Sequence, residues 1–199
     1  MPLQNRIDPF GELIADPARG LLFGNRGGRF HRDDRTLGAR RWASRQWICC
    51  VLDFKGRQRE VWGRGYTELF FLDEVTALAA GHRPCFECRR KDAQAFAAAF
   101  PGKHKRAPEM DRVLHTERLD SRAKRTHRRE IDGLPDGAFI TQGGRALAVR
   151  GERLLLWTPS GYETAQRPRG VAVDVLTPPS ILALLAAGYR PLWHLSANA

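Results

Sequence analysis

At 199 residues and 42% hydrophobic content, the chain can bury a real core, as one large domain or two small ones, and is too apolar for a disordered tail. Four cysteines are too few for a disulfide scaffold, no apolar run nears the ~18 residues of a membrane span, and MPLQNRIDPFGELIADPARG lacks the basic and apolar regions of a signal peptide, which together predict a cytoplasmic protein with reduced thiols. The formal net charge of +11 points to a polyanionic partner.

Residues 1–45, rich in Gly, Arg and Asp with little periodicity, read as loop, GNRGGRFHRDDR above all. RQWICCVLDF reads as a strand, KGRQ as a turn and REVWG as the returning strand of a hairpin; YTELFF is a third strand. Asp73 caps a short helix from Glu74 to Ala80, and Gly81 stops it. A second helix is expected from Pro84 to Phe100, since proline suits a first turn. EMDRVLHTERLDSRAKRTHRREID carries helical residues but an apolar stripe of only Met110, Val113 and Leu114, so its second half is expected exposed. AFITQ, ALAVR, RLLLW and GVAVDVL are short strands, and TPPSILALLAAG is a final helix with Thr177 as its N-cap. The expected fold is α+β: a strand–helix module over 1–103 stabilised by zinc, a basic helical connector over 104–133, and a β-meander closed by a helix over 134–199, as separate units or one continuous domain.

LAAGHRPC (Leu78 to Cys85) and LAAGYRPL (Leu185 to Leu192) match at six of eight positions. A reused helix stop, a left-handed glycine followed by Arg-Pro, explains the echo without a duplicated domain. Leu192 and Leu195 stand in the second copy where Cys85 and Cys88 stand in the first, so the helix stop does not itself need thiols.

Four roles suit the Cys85/Cys88 pair. A redox dithiol follows a strand directly, whereas this pair follows a helix and a turn. A cysteine nucleophile needs a base, for which His82 is near in sequence. Two buried spectator thiols would pack as small hydrophobes. Zinc is favoured by Cys-x-x-Cys spacing, which lets both sulfurs reach one ion, and it requires two further ligands. Adjacent strand residues face opposite ways, so only one of Cys49 and Cys50 can join. The expected set is His31, Cys50, Cys85 and Cys88, with Cys49 or His82 as substitutes.

LFFLDEVTALAAGHRPCFECRRKD, residues 69–92, resembles the end of the metal-binding module of the bacterial Ada methylated-DNA repair family: an apolar strand, a short helix ending in Ala-Gly, then Arg-Pro-Cys-x-x-Cys. The resemblance implies zinc at Cys85 and Cys88 and DNA-backbone contacts nearby. The family's upstream Cys-x-x-x-Cys run has no counterpart here, where only adjacent Cys49 and Cys50 precede the pair, so methyl transfer is not carried over.

The charge is concentrated. Residues 19–129 hold 26 Lys or Arg against 13 Asp or Glu, whereas residues 130–199 hold 6 of each. The expected function is nucleic-acid binding, of duplex DNA in repair or handling and with weak sequence preference. The expected contacts are Arg40, Arg41, Arg45, Arg89, Arg90, Lys91, Arg122, Lys124, Arg125, Arg128 and Arg129. The rival is an enzyme: a metal-dependent nuclease using Asp33 and Asp34, or a thiol enzyme using Cys85/Cys88. His115 and Glu117, two apart on a helix, cannot orient one another, and Trp157 and Tyr162 beside Arg153 suit a core better than a base-stacking surface.

Overall fold

The computed structural model describes residues 1–58, 60–103 and 105–198; Arg59 of the expected hairpin and His104 of the expected connector lie outside them. The fold is mixed α+β, with four α-helices and two six-stranded sheets among the described residues.

The first sheet holds β1 (Arg6–Ile7), β2 (Leu13–Ile14), β3 (Leu22–Arg26), β4 (Trp47–Val51), β5 (Leu69–Phe71) and β6 (Arg83–Pro84), in the order β2-β1-β5-β3-β4-β6. Three of these strands fall where the sequence reads as loop. The apolar residues of β3 are interrupted by Gly24, which masks the strand, yet a Cβ there would stand 2.0 Å from the Ile48 carbonyl of β4. The glycine therefore belongs to a closely approached strand and not to a loop. The expected hairpin does not form. Lys55 and Gly56 turn the chain with positive φ, but residues 60–63 make no strand, because β3 and β6 already occupy both edges of β4. Instead Trp62 is buried, donating its indole N–H to the Glu68 carbonyl.

α1 (Glu74–Ala79) is capped as expected, with Asp73 accepting from the Thr76 N–H at 2.9 Å. α2 (Arg90–Ala99) starts later than expected; Pro84 sits in β6 opposite Cys49, at the sheet edge where its missing N–H costs no ladder bond. α3 (Ala107–Arg118) buries Met110 and Leu114, and the chain continues through a hairpin, β7 (Leu119–Asp120) with β8 (Ala123–Lys124). The second sheet joins β9 (His127–Glu130), β10 (Phe139–Gln142), β11 (Arg145–Arg150), β12 (Arg153–Thr158), β13 (Gly161–Gln166) and β14 (Ala172–Val175), in the order β13-β12-β11-β10-β14-β9. The connector is thus structured, and its last strand is an edge of the meander sheet. α4 (Pro179–Ala186) follows, but Thr177 does not cap it; its hydroxyl accepts the Phe139 N–H at 2.8 Å.

All six residues of α1 are buried, and the helix contributes to three hydrophobic clusters. Ala77 packs with Leu22, Leu69 and Phe71 of the first sheet. Val75 and Ala79 pack with Phe139, Ala148 and Leu155 of the second. Leu78 packs with Phe96, Met110, Leu114 and Ile181 of the other helices. No helix among the described residues is long and apolar enough to cross a membrane.

The two Leu-Ala-Ala-Gly stops are the same device. In one, Gly81 and His82 donate to Leu78 and Ala77; in the other, Gly188 and Tyr189 donate to Leu185 and Leu184. The exits differ: the first becomes β6, whereas the second runs past α1, donating Leu192 N–H to Glu74 and His194 N–H to Asp73.

Candidate metal centre

Alternation along β4 sends Cys49 and Cys50 to opposite faces. The Cys49 sulfur accepts an N–H from buried Arg89 at 3.2 Å, and burial pushes its thiol up to about 12. Cys50 faces the segment after β6. There the Cys85 N–H donates to the Cys49 carbonyl at 3.0 Å, fixing that segment against β4, and a turn closed by Arg89 N–H on the Cys85 carbonyl returns Cys88. The ligand atoms of Cys50, Cys85 and Cys88 consequently all lie within 4.8 Å of one another. A tetrahedral zinc–thiolate site, with Zn–S bonds of about 2.3 Å, holds its sulfurs about 3.8 Å apart, so these three fit such an ion with a small inward adjustment.

Cys50 and Cys85 are buried and Cys88 is half-buried. Hydrogen bonds from Cys50 and Cys88 pull the Cys85 thiol well down, whereas Cys50 is pushed up by sharing its proton with the other two and by burial. Three thiolates crowded together repel; a divalent cation removes that repulsion and favours loss of all three protons.

The trio opens on a cavity of about 80 Å³ walled by Ile48, Phe54, Tyr66, Arg57 and Glu87. Glu87 is exposed and paired with Arg57 at 2.7 Å. No fourth Cys, His or carboxylate joins the three sulfurs among the described residues. Expected ligand His31 is elsewhere: its Nδ1 contacts the Thr67 hydroxyl at 2.8 Å, its Nε2 the Gly63 carbonyl at 3.0 Å, and its ring stacks on Trp62. His82 is buried against Trp47 and Phe71, beside Arg26. His31 is held by the segment that leads into β5 and His82 by the packing of the first sheet, neither of which the order of residues along the chain reveals.

Compared with protein-family models, curated proteins and solved structures, the chain matches none.

Two buried arginines bracket the thiol loop. Arg83 makes a two-pronged pair with Asp111 of α3, 2.8 Å on each prong, and Arg89 pairs with Glu74 of α1 at 2.7 Å. Arg89 is therefore an internal clamp and not a surface contact, which corrects its expected role. Lys124 is also not exposed as expected: it is half-buried, with its Nζ on the Ala79 carbonyl. Arg41 is half-buried, whereas Arg40, Arg45, Arg90, Lys91, Arg122, Arg125, Arg128 and Arg129 are exposed. Asp33 and Asp34 are exposed and engaged by Arg29 and Thr36, so they do not converge on one site. His115 packs against Trp42, while Glu117 accepts from Ser180, so the two face different neighbours. Trp157 and Tyr162 pair across β12 and β13 and donate to Thr76 and Asp73 of the α1 cap.

Proposed function

We propose that the chain binds duplex nucleic acid, in DNA repair or handling, and that a zinc ion on Cys50, Cys85 and Cys88 pins its thiol loop to the first sheet. The observation that carries the reading is the convergence of the three sulfurs within 4.8 Å in the basic half of the chain, directly before α2. Zinc there ties β4 to the start of α2, whose Arg90 and Lys91 face solvent. Beyond them α2 turns Ala93, Phe96 and then Phe100 inward, leaving little polar surface to read base edges. Affinity is then set by phosphate contacts and duplex shape, and sequence preference is weak.

The test has two arms. Purified protein is assayed for zinc, expected at one per chain. Duplex binding is followed against salt for the wild type and for an Arg125/Arg128/Arg129→Ala variant. Removing three phosphate contacts lowers the slope of log K against log salt by about 2–3. An unchanged slope assigns these arginines to a solvated surface, and metal-free protein of full stability removes the zinc reading.

A second reading is favoured by one observation: the trio has an open side facing the cavity of Arg57 and Glu87. Catalytic zinc sites keep such an open position, whereas structural ones close it. Product formation from a nucleic-acid or thiol-reactive substrate, lost in Cys85→Ser, would select this reading.

A further inference from the structure

We propose that a second site, the pocket where the Gly11 turn, Trp42 and the end of α3 meet, binds a phosphate monoester. It shares no lining residue with the cavity at the thiols. It goes beyond the nucleic-acid reading, because inorganic phosphate alone would occupy it.

The pocket is lined by five cations, Arg26, Arg41, Arg118, Arg122 and Lys124, against one carboxylate, Glu12. Arg26 and Arg118 are each 1% exposed, and neither they nor Lys124 pair with a carboxylate among the described residues. Arg26 donates to the Gly11 carbonyl at 2.7 Å, to the Arg41 carbonyl at 3.3 Å and towards His82. Arg118 donates to the carbonyls of Gly81 and Arg45, each at 2.8 Å. Both guanidinium carbons lie 3.8 Å from the centre of the Trp47 ring. Carbonyls and a ring face soften burial of a cation but do not neutralise it.

The rest of the protein shows the contrast. The other arginines buried to this degree, Arg83 and Arg89, each have a carboxylate within 2.8 Å. At Arg118 the Nε is buried with no hydrogen-bond partner among the described residues, so a donor beside the pocket stands unused. Burial holds Arg26 down to about 9, with Glu12 and Asp8 drawing it back up and Arg41 repelling it. Burial and then repulsion from Arg26 hold Arg118 well below its ordinary value, and burial, then Arg118 and Arg26, hold Lys124 down to about 7. A bound anion reverses the repulsion. The cavity itself holds only about 20 Å³, so a tetrahedral oxyanion enters as the exposed Arg122 side chain swings aside, and several guanidinium donors can then be shared among its oxygens. Exposed Arg122 and half-buried Trp42 form the rim, past which the group esterified to the phosphate would leave.

Calorimetric titration of the full chain with inorganic phosphate, against sodium chloride of equal ionic strength, tests the proposal. One saturable site per chain is expected, weakened about tenfold in Arg122→Ala, the scale of one lost charge-assisted hydrogen bond. Because loss of a buried arginine threatens folding, Arg118 and Arg26 are read in the wild type. Their guanidinium Nε–H resonances and the Trp47 indole signal should shift with phosphate on one binding curve. A nucleoside monophosphate and a 5′-phosphorylated oligonucleotide, each against its 5′-hydroxyl counterpart, then identify the source; preference for either phosphorylated form supports the site. Heat equal to the chloride control, or shifts confined to exposed arginines, would overturn it. A duplex that still binds with salt dependence in that case leaves the nucleic-acid reading standing without this pocket.

Discussion

Arg89, the residue that follows the second cysteine of the thiol loop, donates to Glu74 at 2.7 Å with both side chains buried. The same Glu74 carboxylate accepts the Tyr189 hydroxyl at 2.7 Å and the Leu192 N–H at 2.9 Å. One carboxylate in α1 thereby links the loop before α2 to the exit from α4, where the second of the two echoing segments ends.

Glu74→Ala should therefore cost about 1–3 kcal/mol, since it leaves the buried Tyr189 hydroxyl without its acceptor and buried Arg89 with only half-exposed Asp92, at 2.8 Å, as its carboxylate partner. Arg90→Ala, at the adjacent but exposed position, should stay within about 0.5 kcal/mol. Urea unfolding of both variants gives the comparison, and equal losses would refute the role assigned to Glu74.

The neighbouring cysteines of β4 should separate by function. Cys50→Ser should lose bound zinc, and a chelator that lowers the melting temperature of the wild type should no longer change it. Cys49→Ser should keep the metal, because its sulfur faces Arg89 on the other side of the strand. Elemental analysis settles the pair; metal retained in Cys50→Ser and lost in Cys49→Ser would reverse the assignment.

The two helix stops should respond unequally to alanine. Gly81 (φ +86°) and Gly188 (φ +98°) both hold left-handed backbone, so each Gly→Ala costs about 1–2 kcal/mol. A Cβ at Gly81 would also stand 2.5 Å from the Arg118 Cδ, whereas at Gly188 it meets nothing within 4 Å. Gly81→Ala should be the more damaging by roughly 1–3 kcal/mol of overpacking, and denaturant midpoints for the two variants measure the difference.

Lys124 should leave a mark on the pH dependence of stability. Burial, then Arg118 and Arg26, hold its folded pKa down to about 7, below the unfolded value of about 10.4. Between those values the unfolded chain carries a proton that the folded chain lacks, so this group's contribution rises with pH from about 7 to about 10.4. Below pH 7 its full penalty is present, and above 10.4 the penalty is gone. Lys124→Met should accordingly gain most in melting temperature at neutral pH and least near pH 10; a gain that does not vary with pH would show that the ammonium is not buried.

Local chemistry was legible from the residues alone. Asp73 as a cap, Gly81 as a stop, the run of meander strands and the opposite facing of Cys49 and Cys50 each depend on contacts within a few residues or on a two-residue period. The Cys-x-x-Cys spacing already brings two sulfurs to one place, and strand alternation lets only one of Cys49 and Cys50 join them; which one was decided by the face that meets the loop. What tertiary structure decided lies at long range. The strands β1 to β3 exist because each has a partner edge, although GNR inside a glycine-rich stretch offers no periodic pattern of its own. His31 was drawn away from the sulfurs by Thr67 and Trp62, and Arg89 from the surface by Glu74, through partners 36, 31 and 15 residues away. The pocket around Arg26, Trp47 and Arg118 draws on residues 10 to 124, so no window of sequence contains it. A side chain's charge is written in its residue type, but the energy of that charge depends on what burial removes and what folding places beside it, and those neighbours are chosen by the whole chain at once.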